Sequence, residues 1–394
     1  MSIPTPTKER KKVIRTASLS GSLYVLLEGQ LRFLNQYYDI LAIGSDPDKW
    51  YIEKLAEREG IRSNEIIIER KIHIFKDIVS LYKLYLLFRS EKPFMVHSIT
   101  PKAGLLTMTA AYFAGVPKRL HTFTGLIFPT KTGLMKHLLI FFDKIICRFA
   151  THIYPEGNGV KKDLLAYNVT KKPLKVIANG NVNGIDLNVY NPKAFSQTEN
   201  ILLRKQIGIE EKDMLFLFIG RLVNDKGVNE LVNAFCEIVK TYTHAKLVMV
   251  GSHEGEFDLL PPSTWDKINS QPAIFCAGHQ DNVRPFLAAS DIFVFPSYRE
   301  GFPNVVLEAG AMELPSIVTD INGSNEIIKD RTNGLIIPSK DELALFNAMQ
   351  LMITDNALRT KMATNARPMI ASRFKRSEVW SAILKEYQAI DSTV

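Results

Sequence analysis

Short apolar runs alternate along the chain with longer stretches in which apolar residues recur at helical spacing. In the first half, the apolar runs predict strands at residues 12–16, 38–43, 65–68, 94–97, 119–124, 152–154 and 175–178. The stretches with helical spacing predict helices at 49–59, 76–89, 103–114 and 134–149. Strands that alternate with helices are typical of α/β proteins with mainly parallel sheets.

A second series of the same kind follows, with strands predicted at 214–219, 246–250, 273–276, 292–295, 316–319 and 334–336. Between the two series, residues 180–192 (GNVNGIDLNVYNP) are rich in turn-forming Gly, Asn and Pro. A length of 394 residues also suits two domains. We therefore predict two domains with doubly wound sheets, 1–182 and 183–375. A terminal helix, about 376–394, can pack back on the first domain.

The composition is that of a globular protein, with 46% hydrophobic and 23% charged residues. The three cysteines are far apart and have no CxxC spacing, which argues against a disulfide framework or a zinc site and fits a reducing compartment. The longest uncharged stretch, 103–117, has 15 residues, whereas a membrane span needs roughly 20 apolar ones. The N-terminus is polar and basic. We expect a cytoplasmic protein, with the inner face of the cell membrane as the alternative location.

The net charge of +8 is unevenly distributed. Residues 1–190 carry 28 Lys and Arg against 16 Asp and Glu, whereas the remainder carries 21 against 25. A basic half suits nucleic acid, an anionic membrane surface or a phosphorylated substrate, and a merely solvated basic surface is the alternative. No nucleic-acid-binding motif accompanies the charge, so we expect no nucleic-acid partner.

The richest motif is FVFPSYREGFPNVVLE, residues 293–308. It reads as a strand, a loop and a helix that begins near Pro303 and Asn304. The free backbone N–H groups of such a helix start suit a phosphate. Glu300 and Glu308 would bracket that phosphate and accept hydrogen bonds from sugar hydroxyls. Taken alone, the spacing favours the alternative, a surface loop with a solvated glutamate and a capped helix.

A second motif, GRLVNDKG, follows the predicted strand 214–219. It places Arg221 at the carboxyl end of the strand and Lys226 at a glycine-containing turn. Arginine grips phosphate oxygens with two N–H groups and lysine adds a point charge. Together they would neutralise a departing nucleoside diphosphate. A plain basic turn is the alternative.

These segments, FIGRLVNDKGVNELVNAF and FVFPSYREGFPNVVLEAGAMELPSIVTD, resemble the donor-binding segments of family-4 retaining glycosyltransferases. That family has the GT-B fold, in which two Rossmann-like domains face each other across a cleft. The resemblance covers nearly the whole chain and is densest between residues 220 and 334. It implies that Arg221 and Lys226 bind the diphosphate, that Glu300 contacts the donor sugar and that Glu308 holds the ribose. It also implies a donor loop and a glycine turn, formed by Gly301, Phe302, Asn304, Val305 and Gly323.

In the first half, VHSITPKAGLL and RLHTFTGLIFPT resemble the subgroup that builds bacterial surface polysaccharides and lipid-linked oligosaccharides. The resemblance implies that His121 lies near the anomeric region of the sugar. The role of His97 stays open, because relatives carry a second histidine where this chain has Ile99. Gly21, in SLSGS, would let backbone approach the donor phosphate, or it would simply form a strand-to-helix turn.

Residues 131–150 form an amphipathic helical pattern. On a helical wheel, Lys136, His137, Asp143, Lys144 and Arg148 share one face, and a broad apolar face lies opposite. Such a helix either contacts a membrane surface on behalf of a lipid-linked acceptor or packs on the sheet of the first domain. Both interpretations remain open from the sequence.

Asp46-Pro-Asp48 matches the Asp-x-Asp of metal-dependent glycosyltransferases, but we interpret it as a helix start with Asp46 as cap and Pro47 in the first turn. No metal or separate cofactor is expected. The predicted reaction moves a sugar from a nucleotide-sugar donor, with UDP-hexose or UDP-N-acetylhexosamine favoured, to a hydroxyl of a polyprenyl-diphosphate-linked saccharide. The alternatives are a nucleotide-sugar epimerase, a sugar phosphorylase and a non-catalytic nucleotide-sugar-binding protein.

Overall fold

The computed structural model describes residues 10–69, 73–253 and 258–392. The chain divides into two compact units. The first unit comprises Met1–Asn183 together with Ser377–Val394, and the second comprises Gly184–Arg376.

The first unit contains a six-stranded parallel sheet in the order β3-β2-β1-β4-β5-β6. Its strands are β1 (Lys12–Leu19), β2 (Asp39–Ser45), β3 (Arg62–Glu65), β4 (Met95–Ile99), β5 (Lys118–Phe123) and β6 (His152–Pro155). Its helices within residues 20–166 are α1 (Ser20–Leu26), α2 (Gln30–Asn35), α3 (Trp50–Glu59), α4 (Ile74–Glu91), α5 (Pro101–Phe113), α6 (Gly133–Phe149) and α7 (Asn158–Ala166).

The second unit repeats this plan with a parallel sheet in the order β12-β11-β10-β7-β8-β9. Its strands are β7 (Met214–Ile219), β8 (Ala245–Val250), β9 (Ile274–Gly278), β10 (Ile292–Phe295), β11 (Ser316–Thr319) and β12 (Gly334–Ile337). Its helices are α8 (Gln197–Gln206), α9 (Val228–Thr241), α10 (Pro262–Ser270), α11 (Arg284–Ala289), α12 (Asn304–Ala311), α13 (Ser324–Ile327), α14 (Glu342–Thr354) and α15 (Asn356–Phe374). The last helix of the chain, α16 (Arg376–Asp391), packs in the first unit.

Each sheet therefore has the doubly wound order in which the chain starts in the middle and reverses direction once. Alternation along β1 shows how the first sheet is covered on both faces. Ile14 joins a core with Leu84 of α4 and Ile146 of α6, whereas Val13 joins a core with Tyr387 of α16. The predicted α/β class with two doubly wound sheets is confirmed.

Two strand predictions differ from the structure. The strand predicted at 65–68 lies earlier, at Arg62–Glu65, because its partner β2 ends at Ser45. The strand predicted at 175–178 is wrong. Leu174 makes one isolated bridge to Ile153, and the chain then turns, with the Gly180 N–H donating to the Ile177 carbonyl at 3.1 Å.

Helix α6 also differs from the helical wheel. Asp143 does not share a solvated face with the lysines, because it is buried beside Ile146 and Cys147. Burial raises the pKa of Asp143 to about 7. A hydrophobicity pattern predicts that every charged residue of an amphipathic helix is exposed, so it cannot identify a carboxyl group that is buried.

Candidate functional site

The predicted donor residues collect at one edge of the second sheet. Strands β7 and β10 are neighbours, paired through Phe216 with Ile292 and Leu217 with Phe293. The connection order reverses between these two strands, and ligands of open α/β sheets bind at the carboxyl ends of strands at such a point. Arg221 follows β7 and Glu300 follows β10. The fold therefore places both residues at the position where it favours binding.

A glycine brings Lys226 to the same edge. After β7 the chain forms a 3₁₀ turn at Asn224–Lys226, and Gly227 then adopts a left-handed φ of 69° before α9. A Cβ at Gly227 would lie 2.1 Å from the carbonyl oxygen of Pro296, directly after β10. Only glycine permits this approach. The turn that carries Lys226 is thereby held against the loop that carries Glu300.

Lys226 and Glu300 form an ion pair. The Lys226 ammonium donates to Oε1 of Glu300, and both side chains are about 15% exposed. Ser297 donates from its hydroxyl to the same carboxylate oxygen at 2.7 Å. The Lys226 nitrogen also lies 5.6 Å from the centroid of the Phe295 ring. The two charges are thus fixed in place yet still reachable from solvent.

A second set of contacts joins the same two loops. Arg299 forms an ion pair with Asp225 at 3.1 Å, and the Tyr298 N–H donates to the Asp225 carbonyl at 2.8 Å. Ser297, Asp225 and Arg299 were not singled out from the sequence. They lie inside the two motifs, however, and a hydroxyl three residues before Glu300 was the signal available for Ser297.

The start of helix α12 forms the third part of the site. It begins at Asn304, and its N-cap residue, Pro303, makes no side-chain capping hydrogen bond. Asn304 and Val305 are half-buried, and Phe302 is buried against the Phe374 ring, with the two centroids 5.4 Å apart. Glu308 lies one turn further along α12 and is half-buried. The predicted helix start at Pro303 and Asn304 is confirmed.

Gly323 packs against the donor loop. Its φ is 77°, and a Cβ there would lie 2.4 Å from the carbonyl oxygen of Gly301 and 2.7 Å from the Cα of Phe302. No other residue fits this turn without displacing the loop. Close backbone approaches therefore bring Lys226 to the loop of Glu300, and Gly323 to Gly301 and Phe302.

The histidine of the first unit has a different environment. The side chain of His121 is fully buried, with Nδ1 2.7 Å from the Ser98 hydroxyl and Cε1 close to the backbone of Gly104. Its Nε2 has no hydrogen-bond partner among the described residues. Burial lowers the pKa of His121 to about 3, so the imidazole is neutral at physiological pH. Its contact with a sugar stays a prediction.

His97 lies on the opposite face of the same sheet. Its Nδ1 is 2.6 Å from the Tyr387 hydroxyl, and its Nε2 is 2.7 Å from the Thr122 hydroxyl. Arg15, itself buried, donates to the Tyr387 hydroxyl at 2.8 Å. Burial lowers the pKa of His97 well below its usual value. These contacts give His97 a structural part in holding α16 on the sheet.

The remaining predicted positions are less constrained. Gly21 lies in the first turn of α1, and a Cβ there would make ordinary contact with the Tyr51 ring at 3.6 Å. Nothing in its surroundings requires glycine. The prediction that Asp46 caps a helix beginning at Pro47 is wrong in position, because α3 begins at Trp50 with Lys49 at its N-cap. The Asp46 carboxylate nevertheless accepts the Ile52 N–H in the first turn of α3 at 2.8 Å.

Within residues 10–69, 73–253 and 258–392, no group of three or more His, Cys, Asp or Glu side chains could hold a metal ion. In the same part of the chain, no helix is long and apolar enough to cross a membrane.

Comparison with known families gives two matches. The family described as Glycosyl transferases group 1 matches residues 199–369, which include every candidate site residue of the second unit. The family described as Glycosyl transferase 4-like matches residues 18–156 of the first unit.

Curated relatives extend these matches over nearly the full length. The chain is 30% identical over 381 residues to the capsular polysaccharide biosynthesis glycosyltransferase CapM of Staphylococcus aureus, covering 96% of this chain and 97% of CapM. It is 30% identical over 308 residues to the UDP-Gal:alpha-D-GlcNAc-diphosphoundecaprenol alpha-1,3-galactosyltransferase of Escherichia coli, covering 77% and 78% of the two chains.

Among solved structures, HepE of Anabaena in complex with UDP-glucose superposes with a TM-score of 0.81. The sequence identity is 18%, and the match covers 96% of this chain and 100% of HepE. At that identity the similarity establishes the fold.

Proposed function

The chain belongs to the GT4-type glycosyltransferases with the GT-B fold, and we propose that it uses a UDP-sugar as donor. In this proposal the acceptor is a hydroxyl of a polyprenyl-diphosphate-linked saccharide, and the sugar is transferred with retention of its anomeric configuration. The second unit binds the donor and the first binds the acceptor. The observation that carries the proposal is the Lys226–Glu300 pair at the point where the second sheet reverses its order.

In donor binding the two charges of the pair have separate roles, Lys226 toward the diphosphate and Glu300 toward the sugar. A diphosphate carries more negative charge than one carboxylate, so it would attract Lys226 and Arg221 more strongly than Glu300 does. Glu300 keeps its hydrogen bond from Ser297 when Lys226 turns to the phosphates. It then faces the sugar as a fixed acceptor for hydroxyl groups, while Glu308 holds the ribose. Gly301, Phe302 and the start of α12 line the diphosphate.

Two similarities support the choice of substrates. The HepE structures contain UDP, glucose or UDP-glucose, and their fold matches over nearly the whole chain. The Escherichia coli relative carries UDP-Gal and a diphosphoundecaprenol-linked acceptor in its name, and CapM is named for capsular polysaccharide biosynthesis. These names support the proposal that the reaction belongs to the assembly of surface polysaccharides or lipid-linked glycans, which we propose takes place at the inner face of the cell membrane.

The chemistry of transfer needs stabilisation of the leaving group more than a protein nucleophile. Arg221 and Lys226 would neutralise the UDP that departs, and this charge develops as the glycosidic bond breaks. The leaving phosphate oxygen would accept the proton of the attacking hydroxyl. His121 stays in the proposal as the sugar contact of the first unit. Because its imidazole is buried, that contact requires side chains packed around His121 to move.

A transfer assay with matched variants tests the proposal. The full chain is incubated with UDP-glucose, UDP-galactose, UDP-N-acetylglucosamine or GDP-mannose and a polyprenyl-diphosphate N-acetylglucosamine acceptor. Mass spectrometry detects the extended lipid, and NMR reports the new anomeric bond. We expect an α-linked product from one of the UDP-sugars and none from GDP-mannose. Glu300→Gln should abolish it, and Glu237→Gln should not.

Glu237→Gln is a matched control, because Glu237 also pairs with a lysine, Lys240, at 2.7 Å, but on an exposed helix surface. Extension by GDP-mannose alone would refute the donor assignment. Undiminished extension by Glu300→Gln would refute the site. A β-linked product would refute retention.

A further inference from the structure

Helix α4 of the first unit has two apolar faces. Its inner face packs in the core through Ser80, Leu84 and Phe88. Its outer face carries apolar residues at positions i, i+3, i+4, i+7 and i+11, which fall on one line of a helix. All five are exposed in the structure, and Phe75 has 86% of its surface free; they are Phe75, Ile78, Val79, Tyr82 and Leu86.

This outer line, which we call the α4 stripe, runs opposite the buried face. The outward pole of a surface helix is normally polar, because that side meets only water. From Phe75 to Leu86 the stripe spans about 17 Å at 1.5 Å per residue. A contiguous apolar strip of this length on a surface marks an interaction site.

Basic residues accompany the stripe. Lys76 and Lys83 flank it on one side, about 100° and 80° around the helix from Phe75, and Arg89 continues its line at the C-terminal end. The nearby acids already have partners, since Glu69 pairs with Lys76 and Asp77 pairs with Lys102. Lys83 and Arg89 form no ion pair within the described part of the chain. The surface is therefore apolar along its centre and positively charged at its margin.

Helix α6 adds to the same side of the unit. Leu84 and Phe88 of α4 and Ile146 and Cys147 of α6 belong to one core, so both helices cover the same face of the sheet. Their outward poles consequently point away from that face together. The outward pole of α6 carries exposed Leu134 and Phe141, with Arg148 exposed beside them.

We propose that the α4 stripe, assisted by the outward pole of α6, docks the first unit on an anionic lipid surface. The inference rests on the proposed function, because a lipid-linked acceptor requires the enzyme to reach a membrane. Apolar side chains enter the boundary between headgroups and acyl chains, and lysine and arginine pair with anionic headgroups. A second copy of the chain is a poorer occupant. A twofold contact would bring Lys83 and Arg89 of both copies into one interface, where like charges repel.

Vesicle co-sedimentation of the full chain tests this docking. We expect binding to phosphatidylcholine–phosphatidylglycerol vesicles that weakens with added salt, and much weaker binding to phosphatidylcholine alone. The double variant Phe75→Ser/Tyr82→Ser should lower the partition coefficient by about 100-fold. The pair Lys83→Gln/Arg89→Gln should lower it by about 10-fold on anionic vesicles only.

A control variant removes two exposed apolar residues from the second unit. Leu202→Ser/Leu343→Ser, on α8 and α14, should bind vesicles as the unchanged protein does. Calorimetric titration with the UDP-sugar on every variant reports folding and donor binding separately. All variants should bind the donor equally, because neither surface belongs to the site.

Three results would overturn the docking proposal. In the first, the unchanged protein does not bind anionic vesicles. In the second, Phe75→Ser/Tyr82→Ser binds them as strongly as the unchanged protein. In the third, the unchanged protein is a dimer and, of the variants, only Phe75→Ser/Tyr82→Ser is a monomer. Each leaves donor binding intact and so leaves the proposed function standing. Absence of donor binding by the unchanged protein would instead contradict the proposed function.

Discussion

Lys226 and Glu300, 74 positions apart in the chain, form an ion pair whose carboxylate oxygen also accepts the Ser297 hydroxyl. The pair exists because β7 and β10 are neighbours and because Gly227 lets one loop approach Pro296 at the end of the other strand. It shows how the site is prepared before a donor arrives. Each charge is oriented, and the cation can be drawn away without leaving Glu300 unsupported.

Ser297→Ala removes that support. Glu300 then loses the hydrogen bond at 2.7 Å that fixes its carboxylate, and we expect kcat/KM for the UDP-sugar to fall by about 10-fold. Steady-state transfer kinetics measure the change. Ser316→Ala is the matched control, because Ser316 is an equally buried serine on β11 whose hydroxyl has no hydrogen-bond partner in the described structure. Equal kinetics in both variants would show that Ser297 does not position Glu300.

Gly323→Ala tests the glycine turn under the donor loop. The added Cβ would meet the Gly301 carbonyl at 2.4 Å at a φ of 77°, so the loop must shift. We expect donor affinity to fall by about 10-fold or more, in addition to the roughly 1 kcal/mol cost of a left-handed alanine. Gly208→Ala isolates that cost, because Gly208 has a φ of 74° and nothing within 4 Å of its Cβ position. Thermal unfolding and calorimetric titration separate the two effects, and unchanged affinity in Gly323→Ala would contradict the close approach.

Tyr387→Phe tests how the last helix is held. The change leaves the buried Arg15 guanidinium and the His97 imidazole without the hydroxyl that joins them at 2.8 and 2.6 Å. We expect the free energy of unfolding of the first unit to fall by about 2 kcal/mol. In Tyr242→Phe, a half-buried tyrosine of the second unit loses a longer hydrogen bond of 3.2 Å from Gln350, and the expected loss is under about 1 kcal/mol. Equal losses in chemical denaturation would argue against a special role for the buried network.

Asp143→Asn should change how stability depends on pH. Burial raises the pKa of Asp143 from 3.8 to about 7, so the folded protein keeps a proton that the unfolded chain releases above pH 3.8. The free energy of unfolding contributed by this group therefore falls as pH rises from 3.8 to about 7 and stays constant above that. The total change is on the order of 4 kcal/mol. The asparagine side chain does not titrate in this range, so Asp143→Asn lacks this pH dependence.

The measurement is the melting temperature from pH 4 to pH 8. The difference between Asp143→Asn and the unchanged protein should shift in favour of the variant as pH rises to 7. Asp48→Asn, at an exposed position in the same unit, should track the unchanged protein throughout. A pH-independent difference for Asp143→Asn would mean that Asp143 is ionised in the folded state.

The sequence predicted those features that local patterns determine. Every strand of the second sheet, the helix start at Asn304 and the glycine-containing turn before α9 follow from apolar runs and from Gly and Pro chemistry. The sequence did not predict those features that depend on tertiary partners. Whether residues 175–178 pair depends on β6, and whether Asp143 faces water depends on what α6 packs against. The burial of His121 depends on the absence of a side chain at Gly104, 17 residues earlier.

The most direct test of the donor site is calorimetric titration of the preferred UDP-sugar into three proteins. The unchanged chain should bind. Lys226→Met should bind at least about 30-fold more weakly, because one of the two cations on the diphosphate is lost and Glu300 then repels it. Lys240→Met, which breaks the exposed pair with Glu237, should bind as the unchanged chain does. Equal affinity of Lys226→Met and the unchanged chain would contradict the assignment of this site.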